Sequence, residues 1–582
     1  MSQNDSNLDK LRHTTAHVMA AAVLQLWPEA KFGIGPTIKD GFYYDFDLGD
    51  KTLKPEDLPK IEQKMKEIIK QNLPMEKTEV DSDKAIKINK EAKQVYKLEL
   101  IDELIKEKKE ISVYSCGKFC DLCKGPHLKS TREIKPNAFK LLSIAGAYWR
   151  GSEQRPMLQR IYGTVWENKE DLDKYLKLIK EAESRDHRVI GKKLDLFSIQ
   201  ESVGSGLIHF HPNGGMIRYE IEKFWREEHL KRGYQFVYSP HIAKLEIWKQ
   251  SGHWEKYREN MFNPFEVDNG QYAIKPSNCP FHIKMYKNKK WSYKELPLRW
   301  GELGTCYRFE PSGTLHGLTR VRGFTQDDAH IFCTEEQFES EIEGVVKLAY
   351  HMMEVFGLKP KAFLATRPEK YLGTIKQWDA NETILEKILK KLKLEYEMDC
   401  GGGVFYGPKI DVKIYDALDR GWQGPTIQLD INLPERFDIT YVDKGGQNKR
   451  AIMIHRTVLG SMERFLGSLI EHYGGNFPLW LSPVQVQLIP VGKEHIKPAQ
   501  QLAEEFRAEN IRVKVDELNE TVGNKIRKAI QQKVPYMLVI GDKEVKQTKL
   551  AVRERGQKEV KNITKKSFIK QLKEEIETKK IK

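Results

Sequence analysis

The sequence predicts an α+β chain of several domains, on three observations. Its 582 residues exceed what one core usually holds and divide into about three or four domains. Near the middle, the runs around Cys306–Phe309 and Phe324–Phe332 read as an antiparallel strand pair, with Pro-Ser-Gly and His-Gly between them marking a loop. Towards the C-terminus the pattern is strand, helix, strand, helix, strand, which predicts an α/β unit.

Apolar residues make up 40% and charged residues 31% of the chain, an ordinary globular composition. No run of apolar residues is long enough to span a membrane, so none is expected. The opening MSQNDSNLDKLRH lacks the apolar segment of a secretory signal. Seven cysteines, an odd number in a long chain, suit a reducing compartment and metal or catalytic use better than disulfides. A cytoplasmic location is expected. The net charge is +14, and residues 484–582 hold 23 Lys and Arg against 14 Asp and Glu, a net +9. A basic module on a nearly balanced body is the electrostatic footprint of a polyanion partner. A lysine-rich solubilising tail is the bland alternative, and the ordered pattern inside the module argues against it.

Residues 1–168 open with a helical pattern, LRHTTAHVMAAAVLQLW, in which His13 and His17 share one face. Much later comes YSCGKFCDLCKGPHL, with Cys116, Cys120, Cys123 and His127. Spacing alone favours a structural zinc knuckle, C-x3-C-x2-C-x3-H. The competing arrangement is a hydrolytic pocket of His13, His17, Cys123 and His127. Residues 169–187, KEDLDKYLKLIKEAESRDH, are charged with sparse apolar periodicity and read as a connecting helix with much solvated surface.

Residues 188–480 form the largest unit. GGMIRYEIEKFWREEHLKRGY predicts an amphipathic helix, and QFVYSP a strand ending at Pro240. Cys279 stands in a Pro-bounded turn, where a lone cysteine is usually a small buried hydrophobe. The central stretch from Cys306 to Cys333, CYRFEPSGTLHGLTRVRGFTQDDAHIFC, sets Arg308, Arg320 and Arg322 among Glu310, Gln326, Asp327, Asp328 and His330. An antiparallel pair would project Arg308 and the Gln326–His330 side chains towards one site. Guanidinium forks suit phosphate, acids and amides suit an amine, and histidine suits a soft cation. A solvated hairpin would not need so many Gly, Phe and Val residues between its charges.

GGGVFYGPKIDVKIYD is glycine-rich and then alternates as a strand. Adjacent glycines permit close backbone approach to a ligand, and the Walker pattern is absent. WQGPTIQLDINLP follows, with Gln423 and Gln428 as candidate ligand-facing amides. In AIMIHRTVLGSMERFLGSLIEHYGG, His455 and Arg464 would face opposite ways on one continuous helix. Both reach one site only if His455 ends a strand and a helix starts near Ser461. Arg464 then lies in a first helical turn, where phosphate can be anchored. Residues 481–582 open after Pro478 and Pro483, with VQVQLIPV and MLVIGD as short buried strands and HIKPAQQLAEEFRAEN as a helix.

The central stretch closely resembles motif 2 of the class II aminoacyl-tRNA synthetases, in the form seen in threonyl-tRNA synthetases, and the similarity extends over nearly the whole chain. The resemblance implies an antiparallel-sheet catalytic core at 188–480, an α+β editing domain at 1–168 and an α/β anticodon-binding domain at 481–582. It implies that threonine and ATP give threonyl-adenylate, that the threonyl group passes to tRNA(Thr), and that mischarged seryl-tRNA(Thr) is hydrolysed. Arg308, Arg464 and Lys409 then act in catalysis, Arg308 on the α-phosphate and Arg464 on the terminal phosphates, with Mg2+ assisting. Gln326 and Asp328 receive the amine, and Tyr406, Gln423, Gln428, Arg320, Arg322 and Ser461 belong to the substrate site. Cys279, His330 and His455 hold one Zn2+ as an open three-ligand site that threonine's amine and hydroxyl complete.

HTTAH with CKGPH resembles the editing motif shared with alanyl-type editing proteins, which shifts the weight from the knuckle to the pocket; Asp121 and Tyr44 match its lining. Asn519, Arg527, Glu544 and Arg553 match anticodon contacts, and Lys533 replaces an expected arginine, keeping charge but losing the bidentate fork. The helix, strand and proline around Pro240 resemble motif 1, which implies a homodimer. Phe281 departs from an expected glycine at the pocket edge. The family often carries a small ubiquitin-like domain ahead of the editing domain, and with His13 so near the start a form without it is expected. Two other function classes are a tRNA-binding regulator that keeps the fold without the activity, and a freestanding hydrolase of mischarged tRNA. The first should lack Arg308, Arg464 or the metal triad, and the second would not need the catalytic core.

Overall fold

The computed structural model describes residues 3–152, 154–404, 406–416, 420–430, 432–546 and 549–581. The chain divides into two units, Met1–Glu181 and Ala182–Lys582. In the first, α1 (Gln3–Leu26) has no glycine or proline inside and an alanine-rich second half, which favours an unbroken helix. After it come β1 (Gly41–Asp47), α2 (Leu58–Lys70), β2 (Met75–Glu79), α3 (Val95–Lys106), β3 (Ser112–Cys116), β4 (Phe119–Leu122), β5 (Phe139–Tyr148) and β6 (Met157–Val165). Strands β1, β6 and β5 lie side by side and antiparallel. Phe42, Tyr44 and Phe46, alternate residues of β1, enter one core with Ala16–Val23 of α1 and Met65 and Ile68 of α2. The charged helix α4 (Lys169–Ser184) buries only Leu172.

Strands β2, β3 and β4 make a second antiparallel sheet. Its register corrects the reading from cysteine spacing. Cys116 is opposite Phe119, and Cys120 is opposite Ser115, so the two cysteines face opposite sides of the hairpin. Cys116 is buried and Cys120 exposed. A zinc knuckle cannot close around them, and among the described residues neither joins a group of three metal-ligand side chains.

The second unit holds α5 (His187–Lys193), α6 (Pro212–Lys231), β7 (Gln235–Phe236), α7 (Cys279–Tyr286), β8 (Leu298–Tyr307), β9 (Gly323–Cys333), α8 (Glu335–Val355), β10 (Lys359–Ala365), β11 (Tyr396–Asp399), β12 (Lys409–Tyr415), β13 (Gly421–Asp430), β14 (Ile452–Ser461) and α9 (Met462–Tyr473). Eight strands form one sheet in the order β7-β8-β9-β14-β13-β12-β10-β11. All joints are antiparallel except the two outermost, β7–β8 and β10–β11. Ala329, Ile331 and Cys333 of β9 face a core built with Ile217 and Ile221 of α6, Ile342 and Val345 of α8, and Phe465 and Leu466 of α9. Alternate residues of the same strand must then face the other side. The strand expected from QFVYSP is only β7, and of the strand expected at Cys306–Phe309 only Cys306 and Tyr307 belong to the longer β8, with Arg308 and Phe309 following its end.

The chain continues with β15 (Val486–Pro490), α10 (Ile496–Ala508), β16 (Val513–Val515), α11 (Val522–Gln531), β17 (Tyr536–Ile540), β18 (Lys549–Glu554), β19 (Val560–Thr564) and α12 (Lys565–Glu577). The strand order is β16-β15-β17-β18-β19, with the first three parallel and the last two added antiparallel. Two arginines tie this module to the core. Arg512 pairs with Glu220 and donates to the carbonyls of Ser482 (2.9 Å) and Trp480 (2.6 Å), and Arg555 donates to that of Phe477 (2.7 Å). Among the described residues no helix is long and apolar enough to cross a membrane.

Candidate functional site

Strand register builds the main site. Directly opposed residues of an antiparallel pair project from the same face. His330 on β9 opposes His455 on β14, His455 opposes Gln428 on β13, and Gln428 opposes Lys409 on β12. The neighbouring row is Asp328, Thr457, Thr426 and Asp411. Over this face lies a cavity of about 600 Å³ lined by Cys279, Arg308, Arg320, Gln326, Asp328, Tyr406, Lys409, Gln423, Gln428, His455, Ser461 and Arg464. His330 is fully buried. Arg322 is not on the lining; it donates to the Glu310 carbonyl (2.9 Å) and to Ser312 Oγ (3.2 Å).

His455 lies in the middle of β14 rather than at its end, so the expected break takes another form. Buried Asp327 accepts the N–H groups of Val458 (2.9 Å), Leu459 (2.9 Å) and Gly460 (2.7 Å), where the β9–β14 register shifts between Gln326 and Asp328. This is a bulge, and Gly460 takes the left-handed φ of 84°. Ser461 Oγ then accepts the Arg464 N–H (3.2 Å) and caps α9. His455 and Arg464 thereby reach one cavity.

The cavity is poised for a polyanion. Burial, followed by the positive charge of Arg308, lowers the pKa of Arg464, and the Arg464 Nε donates to the Thr319 carbonyl (3.2 Å). Arg320 is paired with Glu310 (2.8 Å). Asp411 gathers Lys409, Gln423 (3.0 Å) and Thr426 (2.9 Å). Sequence reasoning missed Asp411, whose only signal was a lone acid between Ile410 and Val412 on β12. It also missed His253, which lines the cavity and whose pKa is pulled to about 4 by burial and then by Arg308.

The ligand atoms of Cys279, His330 and His455 lie within 4.8 Å of one another. Cys279 begins α7 rather than sitting in a turn, because Pro280 is tolerated in a first helical turn. Glu302 Oε2 is 3.0 Å from His282 Nε2, and His282 Nδ1 is 2.7 Å from His330 Nδ1. A carboxylate accepts, so His282 carries its proton on Nε2 and its Nδ1 accepts from His330 Nδ1–H. The lone pair of His330 then sits on Nε2, a buried atom with no hydrogen-bond partner. Burial holds the ring's pKa well below the usual range. A neutral, unpartnered nitrogen beside a thiol and a second imidazole is the donor set of a zinc-type cation. Phe281 is off the cavity lining; it packs 5.7 Å from the Trp248 ring, with the Lys275 ammonium 5.6 Å from its own.

The first unit holds the second site. The ligand atoms of His13, His17, Cys123 and His127 also converge within 4.8 Å. Cys123 Sγ is 3.3 Å from His13 Nε2 and 3.2 Å from His127 Nε2. Burial pushes the Cys123 thiol up to about 11, pulls His127 down to about 2 and sets His17 well below its usual range. The thiol and imidazoles are therefore neutral near pH 7, which suits positioning and hydrogen bonding of a bound group more than thiolate attack. Tyr44 donates to Asp121, which lies 3.7 Å from His17 and pairs with buried Lys97 at 2.6 Å. Sequence reasoning missed Lys97, which lies on α3 far from both histidine motifs.

In the C-terminal module Asn519 precedes α11, Arg527 lies on α11 and bonds Asn524 (2.8 Å), and Lys533 follows α11 with φ 58°. Glu544 accepts the Gly541 N–H (3.1 Å), and Arg553 on β18 opposes Met537.

Residues 264–473 match the family described as tRNA synthetase class II core domain (G, H, P, S and T). Residues 485–575 match the anticodon binding domain, and residues 111–162 the threonyl and alanyl tRNA synthetase second additional domain. The chain is 55% identical over 551 residues to a threonine–tRNA ligase of Dehalococcoides mccartyi, covering 94% of each. It is 49% identical over 580 residues to one from a Sulfurihydrogenibium species, covering 99% of this chain and 90% of that one. A crystal structure described as the RNA binding domain of threonyl-tRNA synthetase from Cryptosporidium parvum aligns with a TM-score of 0.64 at 37% identity, over 67% of this chain and 98% of that one. With the site geometry and this identity over almost its whole length, the chain belongs to the threonine–tRNA ligases, class II synthetases that join threonine to tRNA with ATP, and it carries the domain that edits mischarged tRNA.

Proposed function

We propose that the β9–β14–β13–β12 face performs threonine activation, with the domains divided as 1–168, 169–187, 188–480 and 481–582. The observation that carries this is one cavity that brings Arg308, Arg320 and Arg464 together beside the register row His330, His455, Gln428 and Lys409. The threonine carboxylate attacks the ATP α-phosphorus and pyrophosphate leaves; a ribose hydroxyl of the tRNA then takes the threonyl group and AMP leaves. Arg308 stabilises charge on the α-phosphate, and Arg464, with Arg320, orients the terminal phosphates with Mg2+. Lys409 and Gln423 complete the nucleotide contacts, while Gln326, Asp328, Tyr406 and Gln428 orient the amino acid. Rate comes from positioning and charge complementarity. A Zn2+ held by Cys279, His330 and His455 supplies a Lewis-acidic position for an amine and a hydroxyl. Valine lacks that hydroxyl, and leaving a polar site unpaired discriminates by about 10⁴–10⁵.

Serine has both groups and differs by a methyl, a difference of about 1–3 kcal/mol. The His13–His17–Cys123–His127 pocket, with Asp121 and Tyr44, removes that error by hydrolysing seryl-tRNA. Asn519, Arg527, Lys533, Glu544 and Arg553 read the anticodon on the basic module. Exposed Tyr219 (58%), Leu230 (59%) and Tyr238 (77%) around α6 and β7 support a homodimer face, and the reducing-compartment cysteine content supports a cytoplasmic location.

The test is a separation of functions. Arg464→Lys or Arg308→Lys should lower threonine-dependent ATP–pyrophosphate exchange by about 10²-fold or more, leaving deacylation of preformed seryl-tRNA intact. His13→Ala with His17→Ala should do the reverse. Near-normal exchange in either lysine variant removes that arginine from the site, and persistent deacylation moves the editing pocket elsewhere.

A further inference from the structure

Asp186, His187 and Glu471 form a third group of ligand-type side chains, outside the roles above. Their hydrogen bonds point away from a metal. His187, the first residue of α5, is fully buried. Its Nδ1 is 2.6 Å from Glu471 Oε1, and its Nε2 is 2.9 Å from the Leu318 nitrogen. A backbone N–H can only donate, so Nε2 carries the lone pair and Nδ1 the proton, and the ring is neutral. The other Glu471 oxygen is 2.5 Å from Arg420 Nη2. No lone pair of the ring is left for a cation.

What the ring joins is a loop and a helix. Glu471 lies on α9 seven residues beyond Arg464, which returns it to the same helical face. Leu318 belongs to the loop between β8 and β9, and its side chain is buried with Ile190 and Leu194 of the α5 segment. Its neighbour Thr319 offers the carbonyl that accepts from Arg464 Nε at 3.2 Å, and Arg320 follows at the cavity. The contact is tight. A Cβ at Gly317, whose φ is 47°, would overlap the His187 ring.

We propose that His187 is a positioning residue for adenylation, stapling the β8–β9 loop to α9 so that the Thr319 carbonyl fixes the Arg464 guanidinium. His187 itself touches no substrate. The guanidinium is planar in itself, and holding it through Nε fixes the direction in which its remaining N–H groups point, as bidentate phosphate binding needs. Without the staple the fork samples several orientations, and triphosphate binding weakens while the amino-acid side of the cavity is unaffected. The inference rests on the reading of Arg464 as the terminal-phosphate residue.

The experiment uses the full chain in pyrophosphate exchange, with active sites titrated so that misfolded enzyme is not counted. His187→Ala should raise the ATP KM about tenfold and leave the threonine KM within about twofold. His187→Gln can place an amide oxygen where Nε2 stood, accept from Leu318 and recover most of the ATP KM. His187→Asn reaches only the Glu471 side and should not recover it. A lower titrated fraction with unchanged ATP KM in all three variants, or equal behaviour of Gln and Asn, overturns the proposal. Arg464→Lys runs in parallel. If it leaves the ATP KM unchanged, the reading of Arg464 fails; if it raises the KM and the His187 variants do not, the staple alone fails.

Discussion

At the scale of single residues, the site depends on where protons sit. Glu302 is buried, which works to raise its pKa, yet the hydrogen bond from His282, the charge of Lys275 and the Ser239 N–H hold it below the ordinary range. The carboxylate therefore stays ionised, and it orients two rings in series until a lone pair emerges on His330 Nε2. Glu302→Gln retains the shape and removes the charge. It should weaken Zn2+ binding by about 10–100-fold, the usual cost of losing such an outer partner, as measured by competition with a chromogenic chelator on the purified chain. Zn2+ affinity equal to wild type would show that the series does not set His330's tautomer.

At the scale of elements, the bulge in β14 decides whether one strand can serve both metal-type and phosphate-type chemistry. Three consecutive N–H groups and the Trp225 indole (3.1 Å) all donate to Asp327, and buried Arg456 lies 4.0 Å away. Desolvation nevertheless raises the carboxyl's pKa to about 6. Asp327→Asn places an amide NH2 where only donors converge. It should cost about 1–3 kcal/mol for each donor left unmatched, and it should lower pyrophosphate exchange by displacing the Ser461 cap and Arg464. Urea unfolding checks the first part. A variant of wild-type stability would mean that the bulge is held by other contacts.

At the scale of the whole molecule, each of the two units buries a cluster of histidines. In the first unit, burial depresses His13, His17 and His127 below 6.5, with His127 at about 2. Below about pH 6.5 the unfolded chain binds protons at these positions that the native pocket does not. The stability they contribute is present above that pH and is lost progressively as pH falls towards the folded values. Hydrogen exchange over residues 8–165 of the full chain should therefore accelerate between pH 7 and 5, after correction for intrinsic rates. Protection that is flat across this window would show that the histidines are not held neutral.

Local pattern determined a good deal by itself. The face shared by His13 and His17 follows from helical spacing, the C-terminal strand–helix alternation from the order of apolar runs and helical segments, and the need for a break between His455 and Arg464 from helix geometry. These are short-range consequences of fixed rise and rotation per residue. The rest depended on partners distant in sequence. Cys116 and Cys120 part company because hairpin register sends them to opposite faces. His330, His455, Gln428 and Lys409 become one row only when four strands pair in one register, and no single strand encodes its register. Lys97, Glu302 and His187 carry no motif, and the central stretch that contains Asp327 does not say that this acid faces the core rather than the cavity. Each is a polar group taken out of water, and only the tertiary structure says which partner makes that burial tolerable.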